Sequence, residues 1–406
     1  MNAPVRPTFA AVLAIAAFAF TTFASAQTPA APPPTMAPAD TGYMTYDEGP
    51  ISLPMGVGLR IPLYDRVDGL ALPWGPKVTL SNGAFELDPT VTYRSHLGKF
   101  DPYGRATIRF TPHDALTIDG GRATFSNDEW IRTTLVNSLA AFGVGSDARN
   151  YFRADRVNAQ VSHEIDGHGT MFTPRLGFLH ENAWSTGSAE PHTSAPWSFF
   201  GRTSRLKMRR TNPSIAKGHT TSGTAGVSYS YDLNDLVMFV DAGFEHAFDA
   251  PKYMSTSQTT GNFNQLTLDG KANFPTFGTQ SFAFRGHAIV SPGDGAPPQR
   301  YGYLGGAGTL ATVDLLALGG DRLAYVEGEY SIPLTAPLIP FAGAPIVSVQ
   351  YAAGSAGVGS LPSFIQNIGV GLGVKLIKFE YHIDPNYHKT PYTHRNAFAV
   401  GLSLSM

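Results

Sequence analysis

The sequence predicts an all-β protein, a transmembrane antiparallel β-barrel of 12 to 16 strands that occupies residues 51–406. Segments of about ten residues with alternating apolar and polar side chains recur along the chain, and this is the side-chain period of a β-strand. In segment 104–110, Ile108 and Phe110 alternate with Arg105 and Arg109. A soluble sandwich would bury one of these faces, whereas a barrel with a watery interior can keep arginines on its inner face.

Composition supports the same fold class. Only 15% of the 406 residues are charged, whereas soluble domains have about 25%. After residue 26 there is no run of eighteen apolar residues, so a helical membrane protein is not expected. The net charge of -2 argues against a nucleic-acid partner, whose phosphates require a basic face. The chain has no cysteine, which fits an envelope protein that avoids oxidative mispairing.

The N-terminal residues predict export. Arg6 supplies a basic start, residues 9–20 form an apolar core too short to span a bilayer, and residues 24–26 read Ala-Ser-Ala, the small-x-small pattern of a signal-peptidase site. We therefore expect residues 1–26 to be a cleaved signal peptide. Residues 27–50 are rich in proline and alanine, so they are expected to form an extended periplasmic linker. The expected location is the outer membrane of a Gram-negative cell, with the protein as a monomer.

The alternating pattern predicts about fourteen strands: 65–80, 86–95, 102–111, 115–124, 154–165, 170–182, 222–232, 235–247, 259–271, 278–291, 322–332, 342–353, 367–382 and 393–406. Within 367–382 the apolar phase reverses near Leu376, which indicates either a bulge or a tight turn. A turn there would add one strand.

Two connections are long, residues 125–153 and 183–221, and the middle of the first has helical spacing. Because two strands separate them, both should lie at the same end of the barrel. Barrels keep periplasmic turns short and extend their external loops, so we expect both to be extracellular. This orientation requires one further strand near the N-terminus.

The last predicted strand alternates large apolar residues such as Phe398 and Val400 with small residues, and it ends at Met406. This is the pattern of a terminal barrel strand that closes on the first strand. Such a strand offers a lipid-facing row to the barrel-assembly machinery, which is therefore an expected partner during insertion.

Four segments resemble a known family. LGGAGTL at 304–310 and GDRLAYVEGEYSIPL at 320–334 are similar to the glycine-rich corner and the following strand of the bacterial surface antigen (D15) or Omp85 superfamily, the BamA/TamA-like group. In the second segment, Tyr325, Glu327 and Glu329 share one face. PLYDRVDGLAL at 62–72 looks like the opening strand of these barrels, and RNYFRADR at 149–156 looks like a loop-to-strand junction.

The resemblance implies a non-enzymatic outer-membrane barrel that acts in envelope organisation or transport. Two features depart from the family pattern. An Arg-Gly-aromatic tip usually follows the glycine corner, but here Leu310 is followed by Ala-Thr-Val, and the pair Arg285-Gly286 lies in a predicted strand. Members that insert or secrete proteins carry periplasmic POTRA domains, and residues 27–48 are too few for one. The sequence therefore predicts an Omp85-like barrel without POTRA domains, for which a periplasmic partner could supply that function.

Two other functions remain open, a porin-like diffusion channel and an outer-membrane lipid-modifying enzyme. SHEIDGHG at 162–169 places His163 and His168 five residues apart with Gly167 between them, whereas a zinc-protease helix needs a spacing of four. YHIDPNYHKTPYTHR at 381–395 contains His382, His388 and His394, but no motif pairs them with a serine nucleophile. We therefore expect no catalytic, cofactor-binding or metal-binding residues.

The second long connection contains a basic run. It could contact lipopolysaccharide phosphates or form a solvated loop, and its members are Arg202, Arg205, Lys207, Arg209, Arg210 and Lys217. Outer-membrane lipid and lipopolysaccharide are thus the expected partners at this surface. GVGLGV at 369–374 is expected to be strand packing rather than a nucleotide loop, because no helix follows it.

Overall fold

The computed structural model describes residues 50–402 except 187–196, 200–207, 209, 234, 253–260, 294, 335–343, 375–376 and 388. The predicted signal peptide, linker residues 27–49 and the end of the last predicted strand, 403–406, lie outside this range. Within it, no helix is both long and apolar enough to cross a bilayer.

Antiparallel strands make up most of the described chain. Their bounds are β1 Ile51–Ser52, β2 Leu63–Asp65, β3 Gly69–Trp74, β4 Lys77–Leu80, β5 Phe85–Arg94, β6 Lys99–Arg109, β7 Asp114–Phe125, β8 Phe152–His163, β9 Ile165–Gly167, β10 Thr170–Ser185, β11 Gly218–Leu233, β12 Leu236–Asp249, β13 Phe263–Pro275, β14 Ser281–Val290, β15 Gly302–Leu304, β16 Leu318–Gly320, β17 Arg322–Pro333, β18 Ile346–Gly357, β19 Ile365–Val374, β20 Ile377–Ile383 and β21 Asn396–Leu402. The α-helix α1 spans Thr134–Val144, and short 3-10 turns lie at Pro54–Gly56, Ser81–Gly83 and Pro298–Arg300.

The described wall contains sixteen antiparallel passes. The first comprises β1 and β2 and the second β3 and β4, followed by β5, β6, β7, β8, β10, β11, β12, β13, β14, β17, β18, β19, β20 and β21 in hydrogen-bonded order. The first two passes form a hairpin, so residues 62–72 are not a single opening strand and the predicted strand 65–80 begins too early. This hairpin is the additional N-terminal strand that the orientation argument required.

The first hairpin turns on a short polar sequence. Asp65 Oδ1 accepts the backbone N–H groups of Val67 (2.8 Å) and Asp68 (2.7 Å), an Asx-type turn, and Gly69 has φ 68°. The phase reversal near Leu376 separates β19 from β20, which pair with each other. A second strand is therefore added to the fourteen predicted.

Side chains alternate between the two faces of the wall. Large apolar residues such as Val157, Leu176 and Phe178 are exposed on the outer face. The inner face carries ion pairs, for example Arg175 with Asp241 at 2.7 Å. This pattern is that of a barrel with a lipid-facing exterior and a polar interior.

The connections differ sharply between the two ends of the wall. One end, here called the short-turn end, has the connections 81–84, 110–113, 164–169, 234–235, 276–280, 334–345 and 375–376. The other, the long-loop end, has 126–151, 186–217, 250–262, 291–321 and 384–395, together with shorter turns. Strand parity thus confirms that the two long connections noted in the sequence lie at the same end, and Pro50 enters the wall at the short-turn end.

The helix predicted in the first long connection is present as α1. It ends at Gly145, whose φ of 66° is left-handed, and the N–H of Gly145 donates to Ala141 O at 3.0 Å. The GVGLGV segment lies within β19, as predicted. There a Cβ on Gly371 would come within 2.4 Å of Ser348 Oγ, so glycine permits close packing of the inner wall.

Candidate functional site

Connection 291–321 folds back into the barrel and packs against its inner wall. Leu304, Leu310 and Val313 of this connection form an apolar cluster with the wall residues Leu323 and Tyr325. Leu304 and Leu310 have no exposed surface. We call residues 291–321 the lumen loop, since its side chains fill the interior at this level.

The glycine corner of the lumen loop depends on backbone conformations that favour glycine. Gly305 has φ 124° and Gly306 has φ 83°. A Cβ on Gly305 would come within 2.1 Å of Asp314 O. The corner predicted from LGGAGTL is therefore a sterically required turn that directs the tip, residues 307–309, towards the wall.

Arg285 of β14 fixes this tip to the wall. Its guanidinium donates to the carbonyl oxygen of Gly308 and to Glu327 Oε2 at 2.6 Å. Glu327 Oε1 accepts from Gln350 Nε2 at 2.6 Å, and Tyr325 donates to the same carboxylate. Arg285 does lie in a strand, as expected, yet its side chain reaches the loop tip. The cation at this contact thus belongs to the wall rather than to the loop.

Arg300 forms a second clamp at the base of the lumen loop. It donates to Glu245 at 2.8 and 3.1 Å and to Glu181 at 2.6 Å. Glu181 is fully buried and also accepts from Arg156 at 2.7 Å. Bidentate guanidinium–carboxylate geometry is strong and directional, so this clamp holds the loop to two strands on one side of the barrel.

The opposite side of the loop is held by neutral hydrogen bonds. Asn367 of β19 accepts from Thr312 N at 3.1 Å and donates to Thr312 Oγ1 at 2.6 Å. Nearby, His394 N donates to Thr312 O at 2.7 Å. The lumen loop is therefore attached to the wall on several sides, from β10 and β12 to β19.

The α1 region forms a second inward element. Ser138 Oγ accepts from Tyr64 N of the first hairpin at 2.7 Å, and Phe142 packs edge-on against Tyr64 with 5.6 Å between ring centroids. Just before α1, Trp130 stacks on His287 of the wall at 4.2 Å. The segment before α1 also meets the lumen loop directly, since Arg132 donates to Ala307 O at 2.9 Å.

Asp128 lies where three connections meet. Its Oδ2 accepts Asn150 N at 2.9 Å, and the backbone of Tyr303 also hydrogen-bonds to the carboxylate. Residues of the connections 126–151, 186–217 and 291–321 surround a small cavity of 20 Å³ beside it. Burial raises the pKa of Asp128 to about 7, although the hydrogen bond from Asn150 and the charge of Arg210 oppose this shift.

Part of the basic run also belongs to this junction. Arg210 donates to Asn150 Oδ1 and to Arg149 O at 2.8 Å. Burial and the neighbouring charge of Arg66 lower the pKa of Arg210 to about 10. Arg210 is half-buried and binds a neighbouring connection rather than extending freely into solvent, while its contact with phosphate stays a prediction. Lys217 is exposed, and Arg202, Arg205, Lys207 and Arg209 lie outside the described residues.

The histidines singled out in the sequence are spread over different places. His163 contacts Asp114 at 2.7 Å at the short-turn end, and His168 lies exposed in the adjacent turn. His382 is buried on the inner wall beside Glu380, and His394 contacts Asp314 at 3.0 Å. His388 lies outside the described residues, among which no group of three metal-ligating side chains converges.

A lipid-modifying enzyme would need a nucleophile and an imidazole on the outer wall. On that wall, His180 Nδ1 lies 3.0 Å from Thr221 Oγ1 and stacks on His219. His246 pairs with Asn264 Oδ1 at 2.7 Å. The described hydroxyl contact thus involves threonine and lacks a carboxylate or amide that orients the imidazole, so it does not form a triad.

Sequence reasoning did not find the Arg300 clamp. Arg300 follows a proline pair in a connection, and Glu181 and Glu245 each occur in an ordinary alternating strand. The one available signal was a carboxylate on the inner face of a predicted strand, which occurs at many positions. In contrast, the sequence did place Glu327 on the polar face of its strand, and this side chain is part of the Arg285 contact.

Comparison with known proteins identifies the fold. No protein-family model and no curated protein matches the chain. Among solved structures, CdiB from Escherichia coli is 10% identical with a TM-score of 0.50, and the match covers 85% of this chain and 61% of CdiB. BamA from Haemophilus ducreyi lacking POTRA domains 1-3 is 10% identical with a TM-score of 0.52, and the match covers 84% and 69%.

A further match is CdiB from Acinetobacter baumannii, which is 11% identical with a TM-score of 0.47 over 84% of this chain and 58% of that protein. The chain thus spans about three fifths of the length of the CdiB proteins. The all-β fold is therefore similar to that of the CdiB and BamA barrels, and the resemblance noted in the sequence is confirmed for the fold.

Proposed function

We propose that this protein is a non-enzymatic outer-membrane barrel that serves envelope transport through a gated lumen. The observation that carries the proposal is the lumen loop, which is fixed to the inner wall by Arg285 at its tip and by Arg300 at its base. A diffusion channel needs a permanently open interior, whereas here an apolar cluster and two charged clamps occupy it. Transport through such a barrel requires movement of the loop.

The first experiment measures ion conduction. The mature chain, residues 27–406, is reconstituted into planar bilayers beside a variant in which residues 305–317, between the paired strands β15 and β16, are replaced by a short glycine-serine linker. We expect the intact barrel to remain closed and the variant to show steady, salt-proportional current steps, because its lumen is no longer filled. Equal and steady conductance of both proteins would support the porin-like alternative instead.

The second experiment tests location and orientation. Because the chain has no cysteine, single cysteines can be labelled on intact cells with a membrane-impermeant maleimide. Asp314 at the long-loop end and Asp166 at the short-turn end have similar side-chain exposures of 57% and 59%. We expect Asp314→Cys to be labelled on intact cells and Asp166→Cys only after the outer membrane is permeabilised. The reverse result would refute the proposed orientation, and labelling of neither site in fractionated outer membranes would refute the location.

A further inference from the structure

A cavity of 780 Å³ lies in the lumen between α1, the tip of the lumen loop and the inner wall. Ligand sites of small molecules generally have volumes of about 300–1,000 Å³ and combine apolar walls with a few converging polar groups. The volume of this cavity falls in that range, and its walls are likewise divided into an apolar part and a polar part. One wall is the apolar side of α1, and the opposite wall is a set of ionised residues on β17 and β20.

The apolar wall is a stripe on α1. Leu135 and Leu139 are four residues apart and therefore lie on one side of the helix, and Val144 lines the same cavity at the end of the helix. Their exposed fractions are 42%, 47% and 46%, although the helix is otherwise packed against the first hairpin. A contiguous apolar surface of this kind inside a polar lumen indicates a binding site.

The opposite wall is charged but balanced. Lys378 donates to Glu329 at 2.6 Å and contacts Glu380 at 2.8 Å. Arg132 and Arg285 add two cations near the loop tip, and Glu327 adds a third carboxylate. Three cations and three carboxylates produce little net field, so a ligand with a net charge has no advantage. A head group with both a cation and an anion can pair with each kind of side chain.

We propose that this cavity binds a single-chain zwitterionic amphiphile of the lysophosphatidylethanolamine class. The alkyl chain lies along Leu135 and Leu139, where about 0.8 kcal/mol is gained for each buried methylene group. The phosphate pairs with Arg132 and Lys378, and the ammonium group pairs with Glu380. This inference does not depend on transport, because binding is expected in the closed barrel.

The test is photo-crosslinking in nanodiscs of phosphatidylcholine, which avoids detergent, itself a single-chain amphiphile. The full mature chain is exposed to lysophosphatidylethanolamine with a diazirine in the middle of its chain, and trypsin then releases residues 133–149, which contain α1. We expect saturable labelling of this peptide that unlabelled lysophosphatidylethanolamine displaces and palmitate does not. Absence of saturable labelling would overturn the site, and displacement by palmitate would overturn the zwitterion assignment.

Two variants separate binding from folding. Leu139→Gln should lower labelling about tenfold, since it removes the burial of one leucine. Gly143→Leu should abolish labelling by filling the cavity, because a Cβ at Gly143 meets no atom within 4 Å. This change also favours the helix, since leucine has the higher helix propensity.

The matched control is Gly243→Leu. Gly243 lies on β12 outside the cavity lining, and a Cβ there also meets no atom within 4 Å. Its labelling should equal that of the natural chain. Equal labelling of Gly143→Leu and Gly243→Leu would refute the inference, as would displacement of the probe by an amphipathic peptide but not by unlabelled lysophosphatidylethanolamine. None of these readouts requires conduction, so failure here is distinguishable from failure of the proposed function.

Discussion

Replacement of Arg300 by methionine should release the base of the lumen loop. In the structure Arg300 is 6% exposed and makes three hydrogen bonds of 2.6–3.1 Å to Glu181 and Glu245. Removal of one partner of a buried ion pair costs about 3–5 kcal/mol, because the remaining charge stays buried. Here Glu181 retains Arg156, so we expect the lower value, about 3 kcal/mol.

Loss of the Arg300 ion pair destabilises the closed state of the lumen loop relative to its open state. Since 1.4 kcal/mol corresponds to a factor of ten, the ratio of closed to open loop should fall about a hundredfold. The assay is single-channel recording of Arg300→Met beside the natural chain, with the unfolding temperature measured by heat-modifiable migration on gels. We expect frequent current steps and a lower unfolding temperature in the variant.

The matched control is Arg122→Met. Arg122 also makes a bidentate pair, with Asp155 at 2.7 and 2.9 Å, but the two side chains are 48% and 44% exposed. Exposed pairs contribute at most about 1 kcal/mol, so this variant should remain closed. If Arg300→Met has the conductance and unfolding temperature of Arg122→Met, the clamp does not hold the loop and the reasoning is refuted.

Three further predictions concern the same interior. Gly305→Ala should destabilise the lumen loop by at least about 2 kcal/mol, because its Cβ would meet Asp314 O at 2.1 Å in a left-handed conformation; unchanged proteolysis of the loop would contradict this. Burial raises the pKa of Asp128 to about 7, so the native state retains its proton when the unfolded chain loses it. Stability should then fall as pH rises from about 4 to 7, by up to about 4 kcal/mol, and Asp128→Asn should remove this slope in thermal unfolding. Arg285→Met and Glu327→Gln should show a coupling energy of about 2 kcal/mol in a double-mutant cycle, and additive effects on unfolding would argue against the tip contact.

Local sequence patterns were sufficient for much of the wall. Alternation identified the strands because one face of each strand meets lipid and the other meets polar groups. Each strand therefore shows the two-residue period in its own sequence. The glycine corner was equally local, since Gly305 and Gly306 adopt left-handed conformations that few other residues tolerate. The pattern was weaker where strands join through very short turns. The hairpin turn at Asp65 lay at the start of a predicted strand, and the phase reversal near Leu376 was compatible with either a bulge or a turn.

What the sequence determined by itself was the fold class, the inward placement of charged faces and the position of the loop corner, each of which depends on neighbouring residues. Tertiary structure alone decided that the lumen loop occupies the lumen and by which contacts it is held there. Arg300 is separated from Glu181 by 119 positions and from Glu245 by 55, and Arg285 reaches Gly308 across 23. The two-residue period of a strand predicts which face a side chain occupies, but it does not predict which loop contacts that side chain. The contact depends on how the strands of the whole wall are arranged around the loop.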